Sequence, residues 1–457
     1  MKKNLPKKFN ILTVTAWILL VLMQTSCTKD IDIEAAVENP DLIHQAQLKL
    51  TDVIVHDIFS PPVASRIYAY ANIAAYEALI PENPKFLSLA GQLNGLEKLP
   101  KPDTAKTYNF HISSVHAFLT VSKAFIFSED QIADYQKQLY DSLYSQVPEE
   151  LYLNSIQYGD TIAKAILAYS KKDGYNQTRG LKYTVLNEPG TWSPTPPAYM
   201  DAVEPYWNKV RPFILDSADQ FMPKAPSEFS MHEESLFYKE AMEVYETGVN
   251  LSEEQKAIAS FWDCNPFVMH TVGHVMYATK KISPGGHWLG ITYIANKKTD
   301  ADMLKSLEAY TLVAIALSDG FISCWDEKFR SNVIRPETVI NAHIDVNWKP
   351  VLQTPPFPEY PSGHSVISKA AAVTLTEIYG DNFSFVDSTE VKYGLPSRTF
   401  NSFKDAADEA AISRLYGGIH YMPAINNGLI QGEKVGNKVV SAIQLRKNAN
   451  ESLSSLE

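Results

Sequence analysis

Apolar positions recur at spacings of three and four along most of the chain, and period-two alternation is scarce. Within residues 63–79, Ile67, Tyr70, Ile73, Ala74 and Tyr76 fall on one helical face. The same period predicts helices over 109–127, 132–144, 156–169, 232–245, 252–261, 267–280, 300–324, 365–379, 404–415 and 425–445. Asp103-Thr104 and Ser128-Glu129-Asp130 have the composition of helix starts. Residues 187–223 break the pattern: rich in Pro, Ser, Thr and Trp, they predict a long ordered loop that covers something. The elements predict an all-α protein of helical bundles, with at most a small hairpin among the loops.

Residues 1–27 are read as an export segment rather than as fold. Lys2, Lys3, Lys7 and Lys8 precede an apolar run of 13 residues, Ile11 to Met23, and then Gln24-Thr25-Ser26-Cys27. The run is too short for a stable membrane span and suits a secretory signal. Small residues before a Cys resemble a bacterial lipoprotein cleavage site, although Gln24 departs from the usual aliphatic residue. The expectation is an exported protein, lipid-anchored at Cys27 to the outer membrane and facing the periplasm or the cell surface; plain secretion is the alternative. The remainder divides into an N-terminal helical region, 28–230, and a C-terminal helical domain, 231–457. Only Cys264 and Cys324 remain after Cys27, too few for a disulfide framework or a Cys-based metal site.

Charge narrows the functional classes. With 41 Lys+Arg against 52 Asp+Glu, the net charge of −11 leaves no basic surplus for nucleic acid. An anion must be captured by a local basic cluster working against the global field. The 24 Tyr, 20 Phe and 7 Trp suit a large aromatic core or contact surface.

Three blocks in the C-terminal domain carry such a cluster: Lys328 to Arg335-Pro336, Pro361-Ser362-Gly363-His364, and Ser413-Arg414 to His420. Singly, each has a bland explanation: surface charges, a helix cap, a core histidine. Together they supply two guanidinium groups and an ammonium to match a tetrahedral oxyanion. Ser362 adds a hydroxyl, and Gly363 an N–H open to close approach, both at a helix start that favours anions. Two histidines remain, one to bind a central atom and one to move protons.

The pattern K-x6-R-P, P-S-G-H, S-R-x5-H resembles the signature shared by type 2 phosphatidic acid phosphatases and vanadium-dependent haloperoxidases. All ten specified residues are present, separated by gaps of 24 and 48 residues. The chain looks most like the secreted haloperoxidases of marine Bacteroidetes, the iodide-specific ones among them. As a phosphatase, it is expected to use His420 as nucleophile, His364 as acid, and Lys328, Arg335 and Arg414 to stabilise the transition state. As a haloperoxidase, it is expected to hold vanadate on His420, with Lys328, Arg335, Ser362, Gly363 and Arg414 on the oxygens. His364 would then deprotonate hydrogen peroxide and Lys328 polarise it towards halide, with a small organic acceptor taking the product. The resemblance puts Trp325 and Phe357 on the halide side, though core packing accounts for both equally well. By the resemblance, Phe357 matches the chloride oxidisers at a place where many bromide enzymes carry His, but the bacterial iodide group carries an aromatic there as well; iodide or bromide is expected.

The absence of multiple membrane spans and the long N-terminal half favour the peroxidase. Family members often carry an acid four residues after the last His, where this chain has Ala424. What then holds Arg414 and His420 is open; Asp263 is a candidate, with a solvated or capping Asp the simpler reading. His287-Trp288 are candidates to line the pocket. His270 and His274, four apart on a predicted helix, could make a metal pair, but no third ligand is evident and packing is the better reading. A surface glycan-binding lipoprotein is a reading from another class; it accounts for the aromatics but not for the three blocks.

Overall fold

The computed structural model describes residues 38–266, 268–272 and 275–447, the side chains of 270–272 and 275–278 excepted. The export segment expected at 1–27 lies outside the described residues. The N-terminal half contains α1 (Asp41–His56), α2 (Pro61–Leu79), α3 (Phe110–Phe125), α4 (Glu129–Tyr144), α5 (Glu149–Ser170) and a single turn, α6 (Tyr175–Thr178). The C-terminal half begins with α7 (Leu236–Val249), α8 (Glu253–Phe261), β1 (Val268–Val272), β2 (Val275–Thr279), α9 (Pro284–Lys298) and α10 (Met303–Ser331). It continues with α11 (Pro336–His343), α12 (Gly363–Tyr379), β3 (Phe385–Asp387), β4 (Arg398–Phe400), α13 (Phe403–Tyr416) and α14 (Met422–Ala442).

Two helices organise the core. Every residue of α2 is buried, and its alanines let α3, α5 and α10 pack closely around it. The 29-residue α10 runs against α2, α9, α12 and α14, so one core continues from Ile43 to Leu445. By length and composition α10 suits a membrane span, but 94% of its most apolar window is buried inside the protein.

The predicted end of this helix at Cys324 is too early. The helix continues through Asp-Glu-Lys-Phe-Arg to Ser331 and stops where Asn332 turns left-handed, at φ 49°. Its charged last turns are held by partners: Glu327 by Arg330, and Lys328 by backbone carbonyls.

The helix predicted over 267–280 is instead an antiparallel hairpin, with Val268 opposite Thr279 and Val272 opposite Val275. The run V-M-H-T-V, V-M-Y-A-T is rich in β-branched residues, which are stiff in helices and pack well on a pleated surface. His270 therefore lies on a strand and not on a helix, and His274 lies outside the described residues. A second hairpin pairs β3 with β4.

Three glycines bring α14 onto α12. A Cβ at Gly432 would lie 2.1 Å from the Val366 carbonyl oxygen, and one at Gly428 would lie 2.8 Å from Ser365 Cβ. Gly436 meets Val373 in the same way, at 2.8 Å. The close crossing lets the Ser362 N–H donate to the Ala424 carbonyl at 3.0 Å.

Residues 187–223 wrap the C-terminal half of α10. Buried Asp319 accepts from the N–H groups of Phe213, Ile214 and Leu215 at 2.7, 2.8 and 3.1 Å. The Trp325 indole N–H donates to the Val203 carbonyl at 3.1 Å.

Candidate active site

The site is assembled around the first turn of α12. Ser362 has extended backbone and caps the helix, its Oγ accepting from the Ser365 N–H at 3.3 Å. Its own hydroxyl proton stays available to donate. Gly363 follows as the first helical residue; a Cβ there would sit 3.6 Å from the Trp325 ring and 3.9 Å from Lys328 Cε. The helix start thus presses its free N–H groups and dipole against the basic residues.

Lys328 lies one turn beyond Trp325 on α10 and is fully buried. Its ammonium donates to the carbonyls of Pro358, Glu359 and Pro361 at 3.0, 2.9 and 2.5 Å. Three N–H groups meet three acceptors, so holding an oxyanion requires at least one of these bonds to be exchanged or shared. Burial pulls the ammonium down to about 7.

Arg335 caps α11 and is also fully buried. Its Nε donates to the Phe357 carbonyl at 2.8 Å and its Nη1 to the Ile419 carbonyl at 2.8 Å. Nη1 also lies 3.2 Å from His420 Nε2. Burial lowers this guanidinium to about 10.

His420 is fixed from its other side by Glu359, whose Oε1 lies 2.8 Å from Nδ1 and also accepts the Tyr421 N–H at 3.0 Å. Burial and the Arg335 charge keep the imidazole well below its ordinary value. A neutral ring that donates from Nδ1 to a carboxylate presents its Nε2 lone pair to the cavity. Burial lifts Glu359 to about 7 against the pull of Arg335 and Lys328.

Arg414 and His364 share one support, the carbonyl of Trp262. Arg414 Nη2 donates to it at 2.6 Å, and His364 bonds to it through a ring nitrogen. Burial and the Arg414 charge hold His364 well below its ordinary value, so it too is neutral. Asp263 next to Trp262 is buried, pairs with Lys281 and stabilises the charge of Arg414. The simpler expectation for Asp263, a solvated or capping residue, is therefore wrong: burial leaves the carboxylate to its two basic neighbours. His287 and Trp288 do not line the cavity; they are buried behind Trp262.

Of the nine residues singled out from the sequence, six line one cavity: Trp325, Phe357, Gly363, His364, Arg414 and His420. Lys328, Arg335 and Ser362 stand behind that wall. The Trp325 and Phe357 rings pack at 4.9 Å, and Lys328 and Arg335 each lie 5.1 Å from the Phe357 ring. Sequence reasoning missed Glu359, which does for His420 what the absent acid at Ala424 left open. Its one signal was an acid alone in the proline-rich run before Ser362.

The donor set fits a tetrahedral oxyanion. Three cations converge with two carboxylates among them, Glu359 and Asp263, and the second of these is also engaged by Lys281, so the cluster keeps a local surplus of positive charge that is costly to bury without an anion. Two shielded nitrogens, Arg335 Nη2 and His364 Nε2, have no hydrogen-bond partner among the described residues. Vanadate would be held by His420, with Lys328, Arg335, Ser362, Gly363 and Arg414 as donors to its oxygens.

Comparison with known proteins agrees with this chemistry. The model of the VCPO second helical-bundle domain matches residues 308–448. Curated protein sequences gave no match. The crystal structure of the first bacterial vanadium-dependent iodoperoxidase is similar at 53% identity and a TM-score of 0.85, over 90% of this chain and 98% of that one. Holo and apo structures of a bacterial vanadium-dependent chloroperoxidase are 20% identical with a TM-score of 0.65, covering 84% of this chain and 93% and 94% of theirs; they share the fold. The chain belongs to the vanadium-dependent haloperoxidases, enzymes that act on halide with hydrogen peroxide and a vanadate cofactor. The phosphatase and glycan-binding alternatives fall with that assignment.

Proposed function

We propose that the chain oxidises iodide, with bromide as the other candidate halide, and releases a hypohalous species to a small organic acceptor. Support for iodide comes from the 53% identity to the iodoperoxidase. The observation that carries the site is the approach of Arg335 Nη1 to His420 Nε2 at 3.2 Å, with Glu359 fixing the far side of the ring. Bound vanadate supplies Lewis acidity without a change of oxidation state. His420 offers Nε2 as the single protein ligand. Arg335 and Arg414 neutralise oxyanion charge, Ser362 and Gly363 donate from the helix start, and Lys328 adds charge once it gives up a carbonyl. His364 takes a proton from peroxide at Nε2 while its other nitrogen stays on the Trp262 carbonyl. Trp325 and Phe357 keep the halide side apolar.

The test is reconstitution with orthovanadate followed by peroxide-dependent iodide oxidation. His420→Ala should lose vanadate binding and activity together; full activity in that variant overturns its role as ligand. Export and an anchor at Cys27 belong to the same reading, supported by Lys2 to Cys27. The wild type should partition into detergent and Cys27→Ser into the aqueous phase; equal partitioning refutes the anchor.

A further inference from the structure

Behind Trp262 lies a second buried cluster that the reaction above does not use. Cys264 follows α8, His287 sits in the first turn of α9, Asp387 ends β3 and Glu390 belongs to the β3–β4 connection; all four are buried. Three potential ligand atoms converge: Cys264 Sγ and His287 Nδ1 at 3.5 Å, Nδ1 and Glu390 Oε1 at 3.2 Å, and Sγ and Oε1 at 4.0 Å. The other ring nitrogen faces Asp387 Oδ2 at 2.8 Å and Thr389 Oγ1 at 2.7 Å.

We infer that Cys264, His287 and Glu390 form a binding site for a divalent cation of the zinc class. The edges fit: a tetrahedral ion with sulfur at about 2.3 Å and nitrogen and oxygen at about 2.0–2.2 Å spans edges of about 3.3–3.6 Å. Only the sulfur–oxygen edge must shorten. The mixed thiolate, imidazole and carboxylate set suits zinc or its tetrahedral substitutes. Asp387 on the far nitrogen is the outer carboxylate that orients a ligating histidine.

The charge also favours a cation. An imidazole whose far nitrogen donates to Asp387 offers the Nδ1 lone pair to the ion. With the Cys264 thiolate and the Glu390 and Asp387 carboxylates, the set places three negative charges around the ion's two positive ones. The thiol proton leaves to solvent as the ion binds.

A metal here would tie three chain segments to the wall of the active site. The His287 and Trp262 rings stack at 4.5 Å, and the Trp262 carbonyl holds Arg414 and His364. Cys264 reaches the cavity, which gives an ion a way in.

The test uses the mature chain without vanadate, stripped with chelator and titrated with Zn(II) or Co(II) alone. Expected are one equivalent bound, a thiolate-to-cobalt charge-transfer band with tetrahedral d–d absorption, and release of at least the thiol proton per ion. Cys264→Ser should lose the charge-transfer band, and Glu390→Gln, which loses a direct ligand, should bind more weakly by at least the roughly 10-fold that loss of an outer partner costs. Should Cys264→Ser not fold, the band in the wild type and the Glu390→Gln affinity decide. Folded wild type that takes up no ion, or that binds one without the band or without proton release, overturns the site. The outcome does not depend on whether the neighbouring pocket holds vanadate.

Discussion

Replacing Glu359 separates two effects that oppose one another at His420. The carboxylate orients the imidazole through Nδ1 at 2.8 Å and satisfies the Tyr421 N–H at 3.0 Å. It also places negative charge close to a site built for an anion, which weakens anion binding. Burial limits the second effect: with its acidity shifted to about 7, the side chain is partly protonated at neutral pH before any anion arrives. Glu359→Ala removes both effects and strands two buried N–H groups, each at a cost of about 1–3 kcal/mol. Loss of an outer partner of a metal-ligating histidine typically costs about 10–100-fold in affinity, roughly 1.4–2.8 kcal/mol. Glu359→Gln keeps an acceptor and removes only the charge. If orientation dominates, Glu359→Ala binds vanadate about 10–100-fold more weakly and Glu359→Gln stays within about tenfold of the wild type. Equilibrium dialysis of the chelator-treated protein against orthovanadate measures the affinity, with circular dichroism as the check on folding. A folded Glu359→Ala variant that binds vanadate as tightly as the wild type refutes the reasoning.

Three further outcomes follow from the packing and the charges. Gly432→Ala drives a methyl group to 2.1 Å from the Val366 carbonyl and should cost about 1–3 kcal/mol in urea unfolding; Gly285→Ala, with only Leu317 Cδ1 at 3.7 Å, is the near-neutral control. In the vanadate-free protein Lys328 titrates near 7 rather than 10.5. Between those values the unfolded chain holds a proton that the folded one lacks, so this group's contribution to stability rises with pH there and is lowest below 7. An oxyanion reverses that loss of charge, so calorimetry in buffers of differing ionisation enthalpy at pH about 8.5 should show about one more proton taken up per vanadate by wild type than by Lys328→Met; equal uptake refutes it. Asp319→Ala strands the N–H groups of Phe213, Ile214 and Leu215, and should destabilise by at least about 3 kcal/mol and open residues 187–223 to protease.

What was legible in the sequence is what short-range chemistry encodes. The three motif blocks pair unusual residues within nine positions or fewer, and the amphipathic period marks α3, α12 and α14; α2 shows the period too although it is buried on every side. The hairpin at 268–279 was lost because its apolar residues satisfy either period over so short a run; the β-branched composition was the better guide. Helix α9 was missed because Pro-Gly-Gly reads as a loop. Yet Ser283 caps that helix and Pro284 begins it, and Gly286 is where Ile282 and the Tyr68 hydroxyl approach to 2.8 and 3.0 Å of a would-be Cβ. The glycine row of α14 was visible but unread: a spacing of four puts Gly428, Gly432 and Gly436 on one face.

Glu359 belongs to a different kind of information. It lies 61 residues from His420, and nothing local distinguishes it from a surface acid. Its role is set by three contacts made only in the fold: its carboxylate on His420 and Tyr421, and its carbonyl on Lys328. The same holds for Trp262, whose site contribution is a backbone carbonyl that any residue could supply. The groups that touch an oxyanion must have particular side chains and so leave a motif. Those that aim them need only an acceptor in the right place, and the chain can supply that from a carboxylate, a carbonyl or a neighbouring turn. The sequence pattern therefore thins out one contact away from the cavity, even though the Ala424 position shows that the aiming group has not been lost but moved.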